Sequence, residues 1–382
     1  MKGINILVLI LCTCFAFTAW GQRPASRVCT GWREFHRPDM QRFNPCEKVL
    51  NVKNVGGLQL KWSRAIGSYY SSPSVANGVL YIPSCCTASR AYALNARTGH
   101  KLWSHRAGYG EYSPAVANGV VYLGPTDGYV RALNARTGAE LWKYRTGSGN
   151  RDSLTSSPAV VQGVVYVGSH EGNVYALNAI TGALLWSYTT GDSVDSSPAV
   201  ANGIVYVGSY DGNVYALDAS TGALIWSYAT GYGVSSPAVA NAVVYVGGSD
   251  GNLHALDAST GALLWSYPTG DSYAYSSPAV ANGVVYVGSF YGTVYALDAS
   301  TGVLLWSYST SRGYAYSSPA VANGVVYYGS TEFYALDAST GAMLWSYPTG
   351  IEFSSPVVAN GMVYVGSDDG NLRAFWLKKG TK

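Results

Sequence analysis

A repeat of about forty residues runs through this sequence and limits the folds that the chain can adopt. Eight tryptophans recur at steps of 39 to 44 residues, and a proline that opens the following strand run accompanies each of them. A period of roughly 20 to 50 residues is typical of repeat architectures, so the fold of one unit decides the whole. The tryptophans are Trp62, Trp103, Trp142, Trp186, Trp226, Trp265, Trp306 and Trp345, and the prolines are Pro73, Pro114, Pro158, Pro198, Pro237, Pro278, Pro319 and Pro356.

One unit, residues 196–231, indicates how each repeat is built. Asn202-Gly203 and Asp211-Gly212 are tight-turn pairs because these residue types tolerate positive φ, and residues 218–222 close a third turn. Val, Ile, Tyr and Trp fill the runs between the turns, which suits half-buried strands. The unit is therefore predicted to be a four-stranded antiparallel meander.

Eight such sheets predict an all-β, eight-bladed β-propeller. A four-stranded sheet cannot bury both of its faces alone, and radial stacking of successive sheets solves this. The last unit stops at residues 371–377 without its own tryptophan strand, while a spare tryptophan strand, residues 58–66, precedes the first unit. If that N-terminal strand completes the last blade, the ring closes and no sheet edge is left open. A solenoid of stacked sheets is the alternative.

Residues 216–226, Ala-Leu-Asp-Ala-Ser-Thr-Gly-Ala-Leu-Ile-Trp, resemble the tryptophan-docking motif Ala-x-Asp-x-x-Thr-Gly-x-x-x-Trp of the pyrroloquinoline-quinone (PQQ)-like repeat propellers. The resemblance covers about residues 54–377 and implies that the tryptophans wedge between neighbouring blades. The family contains quinoprotein dehydrogenases and also non-catalytic members, such as the propeller lipoprotein of the outer-membrane barrel-assembly machinery. The motif returns with Asp257, Asp298 and Asp337, and with Asn95, Asn134 and Asn178 in the Asp position.

The N-terminal segment predicts export. Residues 1–21 resemble a cleavable signal peptide, with an uncleaved anchor as the alternative, and lipid attachment is not expected. We expect a lead-in at 22–57 that packs on the propeller, the propeller itself at 58–377, and a basic tail at 378–382. The mature protein would then have no transmembrane span and lie in a periplasm or outside the cell. Its net charge of +3 is too small to indicate a nucleic-acid surface.

Four cysteines follow the predicted signal, which suggests disulfides in an oxidising compartment. Cys29 with Cys46 is the expected pair. Cys85 and Cys86 are adjacent and occupy a hairpin tip. Either they pair with Cys29 and Cys46, or they strap the hairpin locally, or they form a strained ring. Quinoprotein alcohol dehydrogenases have such a ring beside their cofactor, but after a docking tryptophan, so the positions do not match.

The eight repeats differ mainly where the chain crosses from one unit to the next. Because loops on a rigid scaffold carry function, the face formed by these crossovers is the predicted binding face. Its aromatic side chains would suit stacking on a sugar, a quinone or a peptide, or they would simply plug the channel. The candidates are Tyr69, Tyr70, Tyr112, Asp152, Asp192, Asp195, Tyr232, Asp271, Tyr273, Tyr275, Arg312, Tyr314, Tyr316 and Phe353.

Two classes of function fit this sequence. The first is an exported, non-catalytic, monomeric propeller without a cofactor that binds a protein, peptide or glycan on the crossover face. The second is a small quinoprotein dehydrogenase that oxidises alcohols or sugars with PQQ and Ca²⁺, for which Asp152, Asp192 and Asp195 would be the first carboxylates to test. Short, regular hairpins favour the first class. The five histidines show no metal-ligand spacing and are expected at the surface or in turns.

Overall fold

Each repeat folds as a four-stranded antiparallel meander, and the eight-bladed all-β propeller is confirmed. The structure is a computed structural model that describes residues 31–32, 41–67, 71–84, 89–107, 112–124, 128–147, 156–270, 276–310, 316–350 and 354–378. Within these residues the strands form eight sheets, which we number as blades 1 to 8 in the order of their innermost strands.

The four strands of each blade run from the axis to the rim. The innermost strands are Ser74–Ala76, Ala115–Ala117, Ala159–Val161, Ala199–Ala201, Ala238–Ala240, Ala279–Ala281, Ala320–Ala322 and Val357–Ala359. The second strands are Val79–Ser84, Val120–Leu123, Val164–Gly168, Ile204–Gly208, Val243–Gly247, Val284–Gly288, Val325–Gly329 and Met362–Gly366. The third strands are Arg90–Asn95, Tyr129–Asn134, Asn173–Asn178, Asn213–Asp218, Asn252–Asp257, Thr293–Asp298, Glu332–Asp337 and Asn371–Leu377. The outer strands of blades 1 to 7 are Lys101–Arg106, Glu140–Arg145, Leu184–Thr189, Leu224–Ala229, Leu263–Pro268, Leu304–Ser309 and Met343–Pro348.

Blade 8 takes its outer strand from the N-terminal side of the chain. Leu58–Ala65 pairs antiparallel with Asn371–Leu377, and a 3-10 helix, Val55–Gly57, immediately precedes it. The residues that a single sheet needs are thus supplied by two segments more than 300 positions apart in sequence.

The lead-in adds two short strands that the sequence did not predict. Gly31–Trp32 pairs antiparallel with the innermost strand of blade 1, and Phe43–Asn44 pairs parallel with the innermost strand of blade 7. Blades 1 and 7 therefore have five strands each. The free edges of the innermost strands face the propeller axis, so these pairings place the lead-in in the central channel.

Arg42 fixes the lead-in inside this channel. Its side chain and that of Trp32 are fully buried, and the guanidinium carbon lies 5.8 Å from the Trp32 ring centroid. Nε donates to the carbonyl oxygen of Pro319 at 2.6 Å, and Nη2 donates to those of Ser318 and Pro356 at 3.3 and 3.2 Å. Burial lowers the pKa of Arg42 to about 9, which still leaves the side chain charged at neutral pH.

The described lead-in occupies one side of the channel. Gln41 contacts blades 5 and 6, since its Nε2 donates to Val239 and its carbonyl accepts from Val280. The lead-in contacts blades 5 to 8 and blade 1, and in each of these blades the last residue of the innermost strand is buried. In blades 2 to 4 the corresponding residues, Ala117, Val161 and Ala201, are partly exposed. The lead-in therefore covers blades 5 to 8 and blade 1.

A tryptophan lies between each blade and the next. Trp226 Nε1 donates to the carbonyl of Ala258 in the following blade at 3.0 Å, and the Tyr206 hydroxyl donates to the same oxygen at 2.9 Å. The indole also covers Gly261 so closely that a Cβ there would sit 2.7 Å from the ring. Seven of the eight junctions between blades are anchored in this way by one carbonyl and one glycine, and any side chain at the glycine would displace the indole.

Serine side chains link the blades closer to the axis. In seven of the eight blades, the amide of the serine before the strand-opening proline donates to the hydroxyl of the corresponding serine in the next blade, at 2.8 to 3.2 Å. One of these bonds, from Ser355 to Ser72, joins blade 8 to blade 1. The bonded serines are Ser72, Ser113, Ser157, Ser197, Ser236, Ser277, Ser318 and Ser355.

The turn between the third and outer strands is held by its first side chain. Asp218 Oδ1 accepts bonds from the amides of Ser220 and Thr221 and from both of their hydroxyls. The Ser220 hydroxyl is the main cause that lowers the pKa of Asp218 to about 2, so the carboxylate stays ionised at neutral pH. Asn95 accepts the same two amide bonds in blade 1, so the turn does not need the charge.

The junction of blades 7 and 8 leaves one buried hydroxyl without a partner. In the other seven blades the tyrosine equivalent to Tyr206 donates to a carbonyl of the next blade, as Tyr245 does to Ala299 at 2.9 Å. The hydroxyl of Tyr327, which is fully buried, has no hydrogen bond. Burial first and the charge of Glu47 second raise the pKa of Tyr327. Blade 8 has no turn at this place, and Trp345 bonds to Leu58 instead.

Replacing Tyr327 with phenylalanine is therefore expected to leave the stability unchanged or to raise it by up to about 1 kcal/mol, because a desolvated hydroxyl is removed at no loss of a bond. The same change at Tyr245 is expected to cost about 1 kcal/mol, because that hydroxyl is bonded. Unfolding midpoints in urea measure both. A loss at Tyr327 equal to the loss at Tyr245 would show that its hydroxyl is satisfied.

Candidate functional site: the crossover face

We call one end of the propeller the crossover face. It carries the turns between second and third strands and the crossovers between blades. The opposite end, the turn face, carries the other two turns of each blade. Five predicted site residues lie in the described part of the crossover face: Tyr112, Asp192, Asp195, Tyr232 and Tyr316. The other nine lie outside the described residues: Tyr69, Tyr70, Asp152, Asp271, Tyr273, Tyr275, Arg312, Tyr314 and Phe353.

Three side chains from two crossovers and a hairpin tip meet on blades 4 and 5. The rings of Tyr210 and Tyr232 lie 6.2 Å apart at 80°, in an edge-to-face arrangement. The Tyr232 hydroxyl is 3.5 Å from Asp192 Oδ2. Tyr232 is 69% exposed and Tyr210 is 36% exposed. We call these three residues the Tyr232 platform, a surface that combines an aromatic ring, phenol hydroxyls and a carboxylate.

Backbone hydrogen bonds hold the platform rigid. The Tyr210 amide at the hairpin tip of blade 4 donates to the Ser193 carbonyl in the preceding crossover at 2.8 Å. The Gly191 amide of the same crossover donates to Asp211 Oδ2 at 2.7 Å. The next crossover packs equally closely, because a Cβ at Gly208 would lie 2.5 Å from Val234. The platform side chains thus stand on backbone that is fixed at both ends.

Asp211 has a structural role beneath the platform. Its carboxylate accepts bonds from the Tyr215 hydroxyl at 2.7 Å, from the Gly191 amide, and from both the amide and the side chain of Asn213. Partial burial would raise its pKa, but these bonds, led by that of Tyr215, outweigh burial and lower it. Asp211 is therefore an anion whose oxygens are already occupied.

Blade 3 contributes a second polar pair next to the platform. His170 Nδ1 at the hairpin tip lies 3.7 Å from Asp195 Oδ1 in the crossover that also supplies Asp192. The His170 side chain is 53% exposed and that of Asp195 is 27% exposed. His170 and Asp195 thus add a histidine and a second carboxylate to the crossover face.

Tyr316 belongs to a separate aromatic group on blades 6 and 7. Its ring is half-buried and meets Phe290, a hairpin-tip residue, edge-on at 5.7 Å. Phe290 in turn contacts Tyr291, which is 68% exposed. Tyr112, which is half-buried, occupies the first position of the Ser-Ser pair in blade 2. The described candidates are thus split between the Tyr232 platform, this aromatic group and blade 2.

Sequence reasoning found the crossovers but missed the hairpin tips. Tyr210, Phe290 and Tyr291 are aromatic where the hairpin tips of blades 3, 5 and 8 have His170, Ser249, Asp368 or an acidic residue, and this difference was available in the sequence. The expectation that every histidine lies at the surface or in a turn is wrong for His254. It lies in the third strand of blade 5, is 5% exposed, and places Nε2 2.9 Å from Asp250 Oδ2.

The described residues contain no group of three or more His, Cys, Asp or Glu side chains that could hold the Ca²⁺ of a quinone site. Asp211 is occupied by four hydrogen bonds, and Asp195 Oδ1 lies 3.7 Å from His170 Nδ1. Cys46 is disulfide-bonded. Its predicted partner, Cys29, lies outside the described residues, so this pairing stays a prediction.

Family models match most of the propeller. A model described as the beta-propeller of beta-alanine-activating enzyme matches residues 153–378. A second, described as outer membrane protein assembly factor BamB, matches residues 59–193. No curated protein sequence matches the chain.

Solved structures of two kinds are similar to this chain. A europium-containing methanol dehydrogenase has a TM-score of 0.80 at 17% identity, over 92% of this chain and 99% of that one. The quinohemoprotein alcohol dehydrogenase of Comamonas testosteroni has a TM-score of 0.79 at 17% identity, over 92% and 81%. BamB from Moraxella catarrhalis has a TM-score of 0.70 at 20% identity, over 84% and 99%. At these identities the likeness establishes the fold alone.

Proposed function

The chain belongs to the family of the beta-alanine-activating enzyme β-propeller and has the PQQ-like repeat fold, and from this premise we propose that it is a non-catalytic binding module. Its ligand docks on the crossover face. The observation that carries the proposal is the Tyr232 platform, in which an exposed edge-to-face tyrosine pair and Asp192 stand on hydrogen-bonded backbone. Exposed aromatic residues on rigid loops are typical of recognition surfaces.

The shape of the platform favours a peptide or a glycan over an enclosed small molecule. Small-molecule sites bury most of the ligand in a concave pocket. Here the central tyrosine is 69% exposed, and the hairpin tips beside it at Asp211-Gly212 and Asp250-Gly251 are tight turns that build no wall. A flat ring with hydrogen-bonding groups at its edge suits a sugar face or a peptide side chain, with Asp192 accepting a bond from a hydroxyl or an amide.

Binding to defined probes tests this proposal. The mature protein is applied to a peptide display library and to an immobilised glycan panel, and the selected probes are titrated with variants. We expect Tyr232→Ala to weaken binding by about tenfold or more, as for an aromatic anchor at an interface. The control is Ile180→Ala, which removes a side chain that is 84% exposed on the turn face. Equal binding by the Tyr232 variant, or no selected probe at all, would contradict the proposal.

Calorimetry with PQQ, with and without Ca²⁺, tests the dehydrogenase alternative. A non-catalytic module gives no Ca²⁺-dependent heat and no dye reduction with alcohols or sugars. Tight Ca²⁺-dependent binding together with turnover would overturn the proposal and make Asp152 and Asp192 the first residues to change. The folded state is verified by the unfolding midpoint of the same sample.

Export to a periplasm or to the outside of the cell is the second part of the proposal. None of the described residues belongs to a helix long and apolar enough to cross a membrane. Residues 1–21 would be removed as a signal, so the N-terminus of the protein recovered from the exported fraction should begin at Gln22. Recovery of the full-length chain from the cytoplasm alone would contradict export.

A further inference from the structure

The turn face carries opposite charges on its two halves. Residues 153–372 contain one Lys or Arg against fourteen Asp and Glu, and the rest of the chain contains 23 Lys and Arg against seven Asp and Glu. These counts cover both ends of the propeller, and four of the fourteen acidic residues, Asp218, Asp257, Asp298 and Asp337, lie on the turn face. In blades 1 to 7 the turn between the third and outer strands follows this separation of charge. It reads Asn-Ala-Arg-Thr-Gly in blades 1 and 2, Asn-Ala-Ile-Thr-Gly in blade 3 and Asp-Ala-Ser-Thr-Gly in blades 4 to 7.

The basic half consists of blades 8, 1 and 2. Arg97 and Arg136 stand in the turns, Lys101 begins the outer strand of blade 1, and Lys61 lies in the outer strand of blade 8. Burial first and the positive charge of Arg97 second lower the pKa of Lys61, whose Nζ lies 3.1 Å from the centroid of the Trp376 ring. Among the described residues, Arg97, Lys101 and Arg136 form no ion pair.

The acidic half consists of the turns between third and outer strands of blades 4 to 7. Closer to the axis, the lead-in with its exposed Lys48 and Lys53 lies on the first turns of blades 7 and 8. Each turn of the acidic half carries an ionised aspartate that is bonded only within its own turn, and among the described residues none pairs with a cation. The four are Asp218, Asp257, Asp298 and Asp337. One molecule therefore displays an unpaired basic surface and an unpaired acidic surface on the same face.

Exposed aliphatic side chains lie on this face and on the adjoining rim. Ile180 and Val303 in the turns are 84% and 60% exposed, and Val49 of the lead-in is 53% exposed. The outer strands begin with further exposed leucines, such as Leu185 and Leu264 at 51% each. The large hydrophobic side chains that are exposed on the described crossover face are instead tyrosines, namely Tyr210, Tyr232 and Tyr291. Apolar groups among charged ones are typical of protein interfaces.

We propose that the turn face is the interface of a homodimer in which the basic half of each copy lies over the acidic half of the other. The two copies are related by a two-fold axis that is parallel to the disc and perpendicular to the line from the basic half to the acidic half. This rotation turns the second copy over, so that its acidic half lies on the basic half of the first copy and its basic half lies on the acidic half of the first. Such an interface is isologous and closed, the commonest arrangement of homo-oligomers. It replaces the monomer expected from the sequence.

A second copy of the protein would neutralise both the basic and the acidic half of the turn face, whereas a polyanion would neutralise the basic half alone. A nucleic acid, an anionic glycan or an anionic membrane would attract the basic half, but it would meet the four turn aspartates on the same face and be repelled. The dimer leaves the crossover faces of both copies pointing outwards. Each dimer then presents two Tyr232 platforms, so the inference is independent of which ligand the platform binds.

Sedimentation velocity of the mature protein tests the dimer. At low salt we expect a dimer, and at about 0.5 M NaCl, where charges are screened beyond a few ångströms, we expect dissociation towards the monomer. A variant with Asp218, Asp257, Asp298 and Asp337 all changed to Asn is expected to dimerise about tenfold more weakly or worse. The turns keep their fold in this variant, because Asn95 makes the same two amide bonds.

A second variant, Arg97→Gln with Lys101→Gln and Arg136→Gln, is expected to dimerise as weakly as the Asp-to-Asn variant. Mixing the two variants should give a heterodimer, because one copy retains its acidic half and the other its basic half. The control is Glu332→Gln with Asp368→Asn, which removes charges from the crossover face and should leave the dissociation constant unchanged. The proposal would be overturned if the wild-type protein is a monomer at low salt at about 100 μM, or if both variants dimerise with the dissociation constant of the wild type.

Heparin binding identifies the competing explanation. If the basic half serves a polyanion, the wild-type monomer binds heparin tightly, and only the Arg and Lys variant loses this binding. That result without a low-salt dimer would assign the basic half to a polyanion and refute the dimer.

Discussion

Replacing Gly261 with alanine is expected to lower the free energy of unfolding by about 3 to 4 kcal/mol. Two effects add. Gly261 has a φ of +73°, which costs an alanine about 1 kcal/mol or somewhat more. The new Cβ would also sit 2.7 Å from the Trp226 ring, so the indole must leave its place between blades 4 and 5. The tryptophan would then lose its bond to Ala258.

Gly283→Ala separates the two effects, and urea unfolding midpoints measure both variants. Gly283 has a similar φ of +80°, but nothing lies within 4 Å of the position of its Cβ. We expect it to cost only the backbone term of about 1 kcal/mol. The difference between the two variants measures the tryptophan contact between blades. Equal losses would mean that the indole moves at no cost and that this contact does not hold the blades together.

Replacing Arg42 with methionine is expected to destabilise the protein by about 3 kcal/mol. The methionine fills much of the volume but leaves the buried carbonyls of Ser318, Pro319 and Pro356 without their donor. Desolvation of the guanidinium works in the opposite direction, as its lowered pKa indicates. We expect the lost bonds to prevail, because three carbonyls and the Trp32 ring together stabilise one cation.

Gln41→Ala is the matched control for Arg42→Met. Gln41 precedes Arg42 in the same channel segment, but its side chain is half-buried and makes one bond of 3.3 Å to Val239. Its loss should cost about 1 kcal/mol or less. Urea unfolding measures both variants. A methionine variant more stable than the wild type would show that the buried charge costs more than its bonds return.

The repeat made the fold predictable from the sequence. Turn pairs such as Asn202-Gly203 adopt positive φ in the structure, at 51° and 78°, as the hairpin prediction required. Eight copies of one local pattern leave little freedom, because each copy must bury the same faces against its neighbour. The face that carries the variable residues followed from the same meander, since alternate turns must lie at opposite ends.

The channel segment could not be predicted, because it does not repeat. Arg42 bonds to residues 276 to 314 positions away, and no local pattern around it indicates those partners. Phe43–Asn44 pairs parallel with the innermost strand of blade 7, and no turn residue in the sequence predicts this pairing. Of the Tyr232 platform, the crossover residues Asp192 and Tyr232 were predicted and Tyr210 was missed, for a related reason. The crossover residues stood out between repeats, but their contact with Tyr210 depends on how a hairpin tip sits against the neighbouring crossover.

The outer strand of blade 8 has a consequence for biosynthesis. Leu58–Ala65 is translated before seven complete blades, yet its partner, Asn371–Leu377, follows all of them. On the ribosome the nascent chain is therefore an open arc with an unpaired strand at one end and the exposed side of blade 7, with Phe333 and Tyr327, at the other. Neighbouring nascent chains on the same messenger RNA have near-identical repeats and therefore the same unpaired strand edges. Exchange of blades between two chains thus competes with closure of the ring within one chain until residue 377 has emerged from the ribosome.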